Sequence, residues 1–223
     1  DKKANSYFKN FLLFQHDGVL HTSFKTLAAR TGRMSSTKPA LQTISKADTV
    51  LRDAFLPHEG QVLLSCDYSQ VELRLMCHFS GDPDLAKAFH NADATGGDFF
   101  VEMGRAIYKD ESFHKKDERR NLIKTFMYAY LYGAGVTKMA ASANVSIPEM
   151  KEFVATLAAT YPGIPQFQQR IITLGEQRER SEGQGYVMTP YGRRIPCDKG
   201  QARTLVNYLL QGHAAEILKD ALV

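Results

Sequence analysis

Between Asp84 and Glu179 the chain repeats a helical spacing of apolar residues, with glycine and proline at most of its breaks. Segments Asp84–His90, Asp98–Tyr108, Asp117–Tyr132, Ile147–Tyr161 and Pro165–Glu179 each suit a helix. The breaks fall at Gly96-Gly97, at Gly133 and Gly135, and at Pro162-Gly163. A run this long commits the centre of the chain to helices packed on helices, and any sheet must be built from the flanks.

The flanks do carry strand signals. Residues 18–31 (GVLHTSFKTLAART) partly alternate and read as a strand pair or a strand and turn, followed by a polar loop from Gly32 to Pro39. Gln61–Cys66 (QVLLSC) is a short apolar run between Gly60 and Asp67, the pattern of a buried strand ending at a carboxylate. Ser69 can cap a helix from about Gln70 to Phe79, closed by Ser80-Gly81 and Pro83. Gln184–Thr189 and Arg193–Cys197, joined by Pro190-Tyr191-Gly192, predict a hairpin, with a last helix starting near Lys199. The sum is a small sheet platform, a helical insertion and a returning helix.

With 223 residues, 43% of them hydrophobic and 23% charged, the chain can bury a core and suits one or two domains. That composition excludes disorder, collagen and a disulfide scaffold. No apolar run approaches the roughly 20 residues of a membrane helix, and the apolar stretch after the lysines of DKKANSYFKNFLLF is too short for a signal peptide. A soluble, intracellular protein is expected. Cys66, Cys77 and Cys197 have no metal-type spacing and read as reduced, structural thiols. The net charge of +4 is modest, but residues 1–50 carry 8 basic and 3 acidic side chains whereas residues 51–100 carry 3 and 8. A basic head beside an acidic middle suits a phosphate backbone held next to a carboxylate-bound metal, and suits solvated charge alternation equally.

Two constellations could carry chemistry. In CDYSQVELR (Cys66–Arg74), a carboxylate at the end of a buried strand can hold a hard cation, with backbone carbonyls as further oxygen ligands. The same Asp67 could equally be a helix cap. In DERRNLIKTFMYAYLYGAG (Asp117–Gly135), Arg120, Lys124, Tyr128 and Tyr132 recur every four residues. Each step of four drifts only about 40° and climbs about 6 Å, so they form one stripe about 18 Å long. Two cations followed by two rings match a nucleoside triphosphate laid along a helix, phosphates first, then sugar and base. They also match a solvated basic turn beside an amphipathic core stripe. Competing motifs are missing: no P-loop, no G-x-G-x-x-G, no H-E-x-x-H, no G-x-S-x-G and no compact His/Cys cluster.

Taken in order, TGRMSST (Thr31–Thr37), CDYSQVELR, RRNLIKTFMYAYLYG (Arg119–Gly133) and VNYLLQG (Val206–Gly212) resemble the palm and fingers of family A DNA polymerases, the bacterial polymerase I group that includes many phage enzymes. The likeness runs from about His21 to the last residue, with LRDAF, TYPGI and GYVMTPYGRR as linking segments. It implies an α+β fold in which a partial palm sheet carries a mainly helical fingers subdomain. Residues 1–73 would be partial palm with the thumb junction and first catalytic motif, 74–198 fingers, and 199–223 a returning palm helix.

The resemblance also implies roles. Asp67 is similar to the first catalytic carboxylate, binding two Mg²⁺ ions with the Tyr68 carbonyl as a further ligand. Gln70 falls among the nucleotide-contacting positions, and Glu72 resembles the residue that excludes a ribose 2′-hydroxyl. Arg120 and Lys124 match triphosphate ligands, with Lys124 a proton donor to pyrophosphate. Tyr128 matches the sugar-facing position; Tyr132 is expected to stack at the template or nascent pair, with Gly133 allowing close backbone approach. Arg33, Gln42, Arg203, Asn207 and Gln211 match duplex contacts read in the minor groove. Primer-template DNA, dNTP and a complementary polymerase segment are the implied partners, with no membrane, and the cytoplasm, at the nucleoid or in a phage-infected cell, is the implied location.

Three departures stand out. Asp98-Phe99-Phe100 has Phe100 where the family often has a histidine touching the triphosphate, and Ala40 and Thr43 replace asparagines around Leu41-Gln42. A His-Asp-Glu segment with the second catalytic aspartate is expected after the QG helix and is not in this sequence, so extension is expected to need further segments. Two other readings remain: a non-catalytic module that binds primer-template or nucleotide, and a relative of single-subunit RNA polymerases. Against the latter, Glu72 in DYSQVELR favours deoxynucleotides.

Overall fold

The computed structural model describes residues 4–223; Lys2 and Lys3 of the N-terminal segment lie outside the described residues. The chain forms two compact units, one ending at Ser69 and the other running Gln70–Val223.

The first unit contains the helix α1 (Lys9–Phe14), the two-residue strands β1 (Gln15–His16) and β2 (Val19–Leu20), β3 (Ser23–Lys25), β4 (Ser35–Thr37) and the short helix α2 (Thr49–Arg52). β1 pairs with β2 and β3 with β4, both antiparallel. The segment expected to be only a polar loop therefore contains a strand. Ser35–Thr37 is polar enough to read as loop, and it is strand because Ser23–Lys25 lies alongside to take its backbone hydrogen bonds. Gln42 braces this ladder: its side-chain oxygen accepts from the Ser36 N–H at 2.8 Å and its backbone N–H donates to the Ser36 hydroxyl at 3.1 Å.

The buried strand expected at Gln61–Cys66 is not formed. These residues pair with no strand among the described residues, and Val62, Leu63 and Leu64 are 79%, 65% and 85% exposed. An apolar run becomes a buried strand only when a neighbouring strand and a covering layer are at hand, and the described residues of the first unit place neither against this run. The platform is accordingly replaced by small two-stranded ladders, while the α+β class holds in its coarse form, mostly helix with small sheets.

The second unit is built from α3 (Val71–Ser80), α4 (Pro83–Thr95), α5 (Phe99–Tyr108), α6 (Glu118–Leu131), α7 (Val136–Ala143), α8 (Ile147–Thr160) and α9 (Gly163–Glu182), then the hairpin β5 (Tyr186–Met188) and β6 (Arg194–Pro196), then α10 (Thr204–Asp220). Side-chain caps set four of these eight starts. Asp82, Asp98 and Asp117 cap α4, α5 and α6 by accepting backbone N–H groups, and Ser146 with Glu149 forms a capping box on α8. Ser69 does not cap α3; Gln70 occupies that position with left-handed backbone (φ 53°) and no side-chain cap. The helix α7 lies in a stretch that the glycine breaks left unassigned, and the last helix begins at Thr204 rather than near Lys199.

The core gathers one face of each long helix: Leu73 and Met76, Leu85 and Phe89, Phe99 and Met103, Ile123 and Met127, Leu157, Ile164 and Phe167, and Leu205 and Leu209. Rings carry much of it, with Phe89 stacked on Phe99 at 3.8 Å and Phe126 edge-on to Phe153 at 4.7 Å. Alternation puts Val187 and Ile195 of the hairpin into this core. The three cysteines are free, and Cys197 is buried as a structural thiol should be, whereas Cys66 is exposed. No helix among the described residues is long and apolar enough to cross a membrane.

Candidate functional site

The site in the second unit is organised by α6. Its inner side, Ile123, Phe126, Met127 and Leu131, is buried. The Arg120–Lys124–Tyr128–Tyr132 stripe is therefore not the core stripe, because the core positions of this helix are other residues. Lys124 is exposed, Tyr128 half-buried and Tyr132 44% exposed. The Tyr128 and Tyr132 rings lie 6.4 Å apart and tilted by 34°.

At the N-terminal end two arginines are treated differently. Arg119 folds back on the Asp117 cap (2.9 Å through Nε) and onto Asp110 (2.8 Å), with its guanidinium over the Tyr108 and Phe113 rings at 4.8 and 5.0 Å. Hydrogen bonds from Arg119 hold the Asp117 carboxyl below the usual carboxylate range, and bonds from Ser112 and Arg119 do the same for Asp110. Arg119 thus anchors the start of the helix. Arg120 turns to the N-terminus of α5, where its Nε donates to Asp98 Oδ1 at 3.1 Å and its Nη2 to Oδ2. Both side chains are 17% exposed. Burial works against ionisation of Asp98, but the hydrogen bonds and charge of Arg120, with the N–H groups of Phe100 and Val101, outweigh it and hold the carboxyl low.

Phe100, the residue standing where a histidine was expected, is 2% exposed and lies beneath the stripe. Its ring is 6.3 Å from Tyr128 and 5.7 Å from the Arg120 guanidinium, so it supports both instead of reaching a ligand.

At the C-terminal end α6 stops with Tyr132 as its cap residue. Gly133 follows at φ 70°, where a non-glycine residue is strained, and a Cβ there would sit 3.7 Å from the Arg203 carbonyl oxygen. The Tyr132 hydroxyl donates to Glu72 Oε2 at 2.9 Å. Three motifs far apart in sequence therefore meet: Glu72 at the start of α3, Tyr132-Gly133 at the end of α6, and Arg203 at the start of α10. Along α10, Arg203 is exposed and Asn207 and Gln211 are half-buried, whereas Leu205, Val206, Leu209 and Leu210 face the core. Gln70 carries a buried side-chain oxygen that accepts no hydrogen bond among the described residues.

The remaining candidates belong to the first unit. Asp67, Tyr68 and Arg33 are exposed, and the Gln42 amide is engaged with Ser36 and Met34. As metal donors, the Asp67 carboxylate and the Tyr68 carbonyl are hard oxygens of the kind Mg²⁺ takes. Among the described residues, however, no three Asp, Glu, His or Cys side chains cluster to hold an ion. The donor chemistry fits magnesium as one corner of a site.

Sequence reasoning missed Asp98 as the partner of Arg120 and Arg119 as the anchor. The capping signal at Asp98 is local and visible; its pairing across 22 residues has no local signature.

The whole chain, residues 1–223, matches the family model described as DNA polymerase family A. A DNA polymerase of Mycobacterium phage D29 is 32% identical over 203 residues, covering 91% of this chain and 32% of the relative. DNA polymerase I of Deinococcus radiodurans is 32% identical over 238 residues, covering 100% of this chain and 24% of the relative. Among solved structures, the POL domain of Pol1 from M. smegmatis in complex with DNA primer-template and dNTP superposes with a TM-score of 0.80 at 28% identity, covering 96% of this chain and 39% of that one. The chain belongs to DNA polymerase family A, and it spans 32% and 24% of the length of these two polymerases.

Proposed function

We propose that this chain takes part in template-directed DNA synthesis, transferring a nucleotidyl group from dNTP to a primer 3′-hydroxyl. The observation that carries the reading is the α6 face: Arg120 and Lys124 at one end, Tyr128 and Tyr132 at the other, with Glu72 and Arg203 closing it. The similar M. smegmatis domain, in complex with primer-template and dNTP, supports it. Residues up to 73 act as partial palm, 74–198 as fingers and 199–223 as the returning palm helix.

In this reading the primer 3′-oxygen attacks the α-phosphorus, the bond to the β-phosphate oxygen breaks, and pyrophosphate leaves. Arg120 and Lys124 bind the triphosphate, and Lys124 gives a proton to the departing pyrophosphate. Tyr128 meets the sugar, Glu72 crowds a ribose 2′-hydroxyl, and Gln70 contacts the nucleotide. Tyr132 stacks at the templating pair beside Gly133. Arg33, Gln42, Arg203, Asn207 and Gln211 hold the primer-template duplex by its shape. Asp67 and the Tyr68 carbonyl would hold Mg²⁺, which when bound in a two-metal site supplies positive charge at the primer hydroxyl and the triphosphate. In this reading a second carboxylate comes from a complementary polymerase segment.

Primer extension with Mg²⁺ and the four dNTPs tests this, on the chain alone and with a C-terminal family A segment carrying the His-Asp-Glu motif. Extension is expected only in the mixture, with loss on Asp67→Asn and preference for dNTP over rNTP. Salt-sensitive DNA binding without extension in either arm would show a binding module instead.

A further inference from the structure

The Arg120–Asp98 pair has a geometry that a simple surface ion pair lacks. Asp98 takes the guanidinium along one edge, Nε to Oδ1 at 3.1 Å and Nη2 to Oδ2, while Phe100 lies 5.7 Å from the same guanidinium. Oδ1 also accepts the Phe100 N–H at 3.0 Å, so the carboxylate is fixed by the first turn of α5 before it meets Arg120. An arginine has five N–H donors, and this edge uses two, leaving the Nη1 end and one Nη2 proton available. Lys124, one turn along α6, is exposed and makes no hydrogen bond or ion pair among the described residues.

From this we infer that Asp98 is a positioning residue for triphosphate capture: it holds Arg120 by one edge so that the opposite end of the guanidinium is presented beside Lys124 to the phosphates. The inference rests on the nucleotide reading of the α6 face given above. A long side chain that is already ordered loses less freedom when its ligand arrives, and the ordering of one such chain corresponds to roughly two- to twelvefold in Kd. Phe100 fits the same arrangement. Where a ligand-reaching side chain was expected, an apolar ring backs the guanidinium, leaving more of the phosphate recognition to a well-aimed Arg120.

Removing Asp98 changes charge and contact together, so the test compares two substitutions that both remove the charge. Asp98→Asn keeps an oxygen able to accept from both the Phe100 N–H and Arg120 Nε, while its NH₂ faces Arg120 Nη2 donor against donor, so it holds the guanidinium by one bond instead of two. Asp98→Ser also caps a helix but is too short to reach Arg120. Kd for dATP and for inorganic tripolyphosphate is measured by calorimetric titration of the full chain in Mg²⁺ buffer, with thermal midpoints as the folding control. Asp98→Ser is expected to bind both ligands roughly two- to twelvefold more weakly than Asp98→Asn, at similar midpoints. The difference is expected to vanish in an Arg120→Ala background, which a purely structural role for Asp98 would not produce. Equal Kd values for the two variants, or a difference that persists without Arg120, overturns the positioning role. An Arg120→Ala variant that binds as tightly as the unaltered chain, or an unaltered chain that binds neither ligand, overturns the underlying nucleotide reading as well.

Discussion

Asp82 is the most heavily used buried carboxylate of the second unit, and its substitution gives a result with a worked size. The residue is 1% exposed. Oδ1 accepts from the backbone N–H groups of Asp84 at 3.1 Å and Leu85 at 2.9 Å, capping α4, while Oδ2 accepts from Gly163 at 2.8 Å and so ties the start of α9 to α4. Asp82→Asn can keep the capping oxygen but turns an NH₂ group toward the Gly163 N–H, donor against donor. Leaving that donor unsatisfied costs about 1–3 kcal/mol. Asp82→Ala loses the cap as well, worth a further ~1 kcal/mol, for a total of about 2–4 kcal/mol. Urea unfolding followed by far-UV circular dichroism measures both. The expected order is unaltered chain, then Asn, then Ala. An Asn variant within about 0.5 kcal/mol of the unaltered chain would show that the Gly163 contact contributes nothing, and an Ala variant no worse than Asn would show the same for the cap.

Gly104→Ala sets helix propensity against packing. Alanine gains about 1 kcal/mol in a helix, but its Cβ would lie 2.3 Å from a ring carbon of fully buried Phe113. Overpacking costs about 1–3 kcal/mol, so the thermal midpoint is expected to fall, and a rise refutes the clash. Arg120→Met leaves only the Phe100 and Val101 N–H groups to oppose burial of the Asp98 carboxyl, so its titration midpoint, followed by carboxyl ¹³C NMR, is expected to move up. The sign for stability follows from the lowered folded value: the pair stabilises fully above the unfolded aspartate pKa of about 3.9 and less as pH falls below it. The acid limb of the unfolding profile is therefore expected to flatten in this variant, and an unmoved Asp98 midpoint refutes the coupling. Lys124→Ala, at an exposed position, is expected to leave stability within about 0.5 kcal/mol while weakening dNTP binding about tenfold or more, as loss of a charged hydrogen bond implies. Unchanged binding in the same titration would remove Lys124 from the site.

What was legible in the sequence is what is encoded locally. The i, i+4 spacing of Arg120, Lys124, Tyr128 and Tyr132 forms a stripe because α6 is a helix up to its cap residue Tyr132, and the segment starts expected at Asp98 and Asp117 fall on the caps of α5 and α6. The hairpin around Pro190-Tyr191-Gly192 was legible for the same reason, turn residues between two short alternating runs. Pairing is not local. Ser35–Thr37 is a strand through its partner Ser23–Lys25, while the more strand-like Gln61–Cys66 has no partner among the described residues and is not one. The meeting of Glu72 with Tyr132, and of Asp98 with Arg120, spans 60 and 22 residues and depends on how the helices pack. The short helix Val136–Ala143 was hidden by Gly133 and Gly135, which end α6 but leave room for a new start at once.

The exposed Gln61–Cys66 run has a practical side. Six uncharged residues without proline, three of them large and aliphatic and well exposed, have the composition of segments that stack between chains as cross-β ladders. The charges nearest this run are Glu59 and Asp67, which stand as gatekeepers on either flank. Neutralising Asp67 to probe metal binding would therefore also remove one of the two charges that keep neighbouring copies apart. The colloidal behaviour of Asp67→Asn, measured by light scattering against concentration, belongs beside its extension rate, because the same carboxylate serves solubility as well as the proposed chemistry.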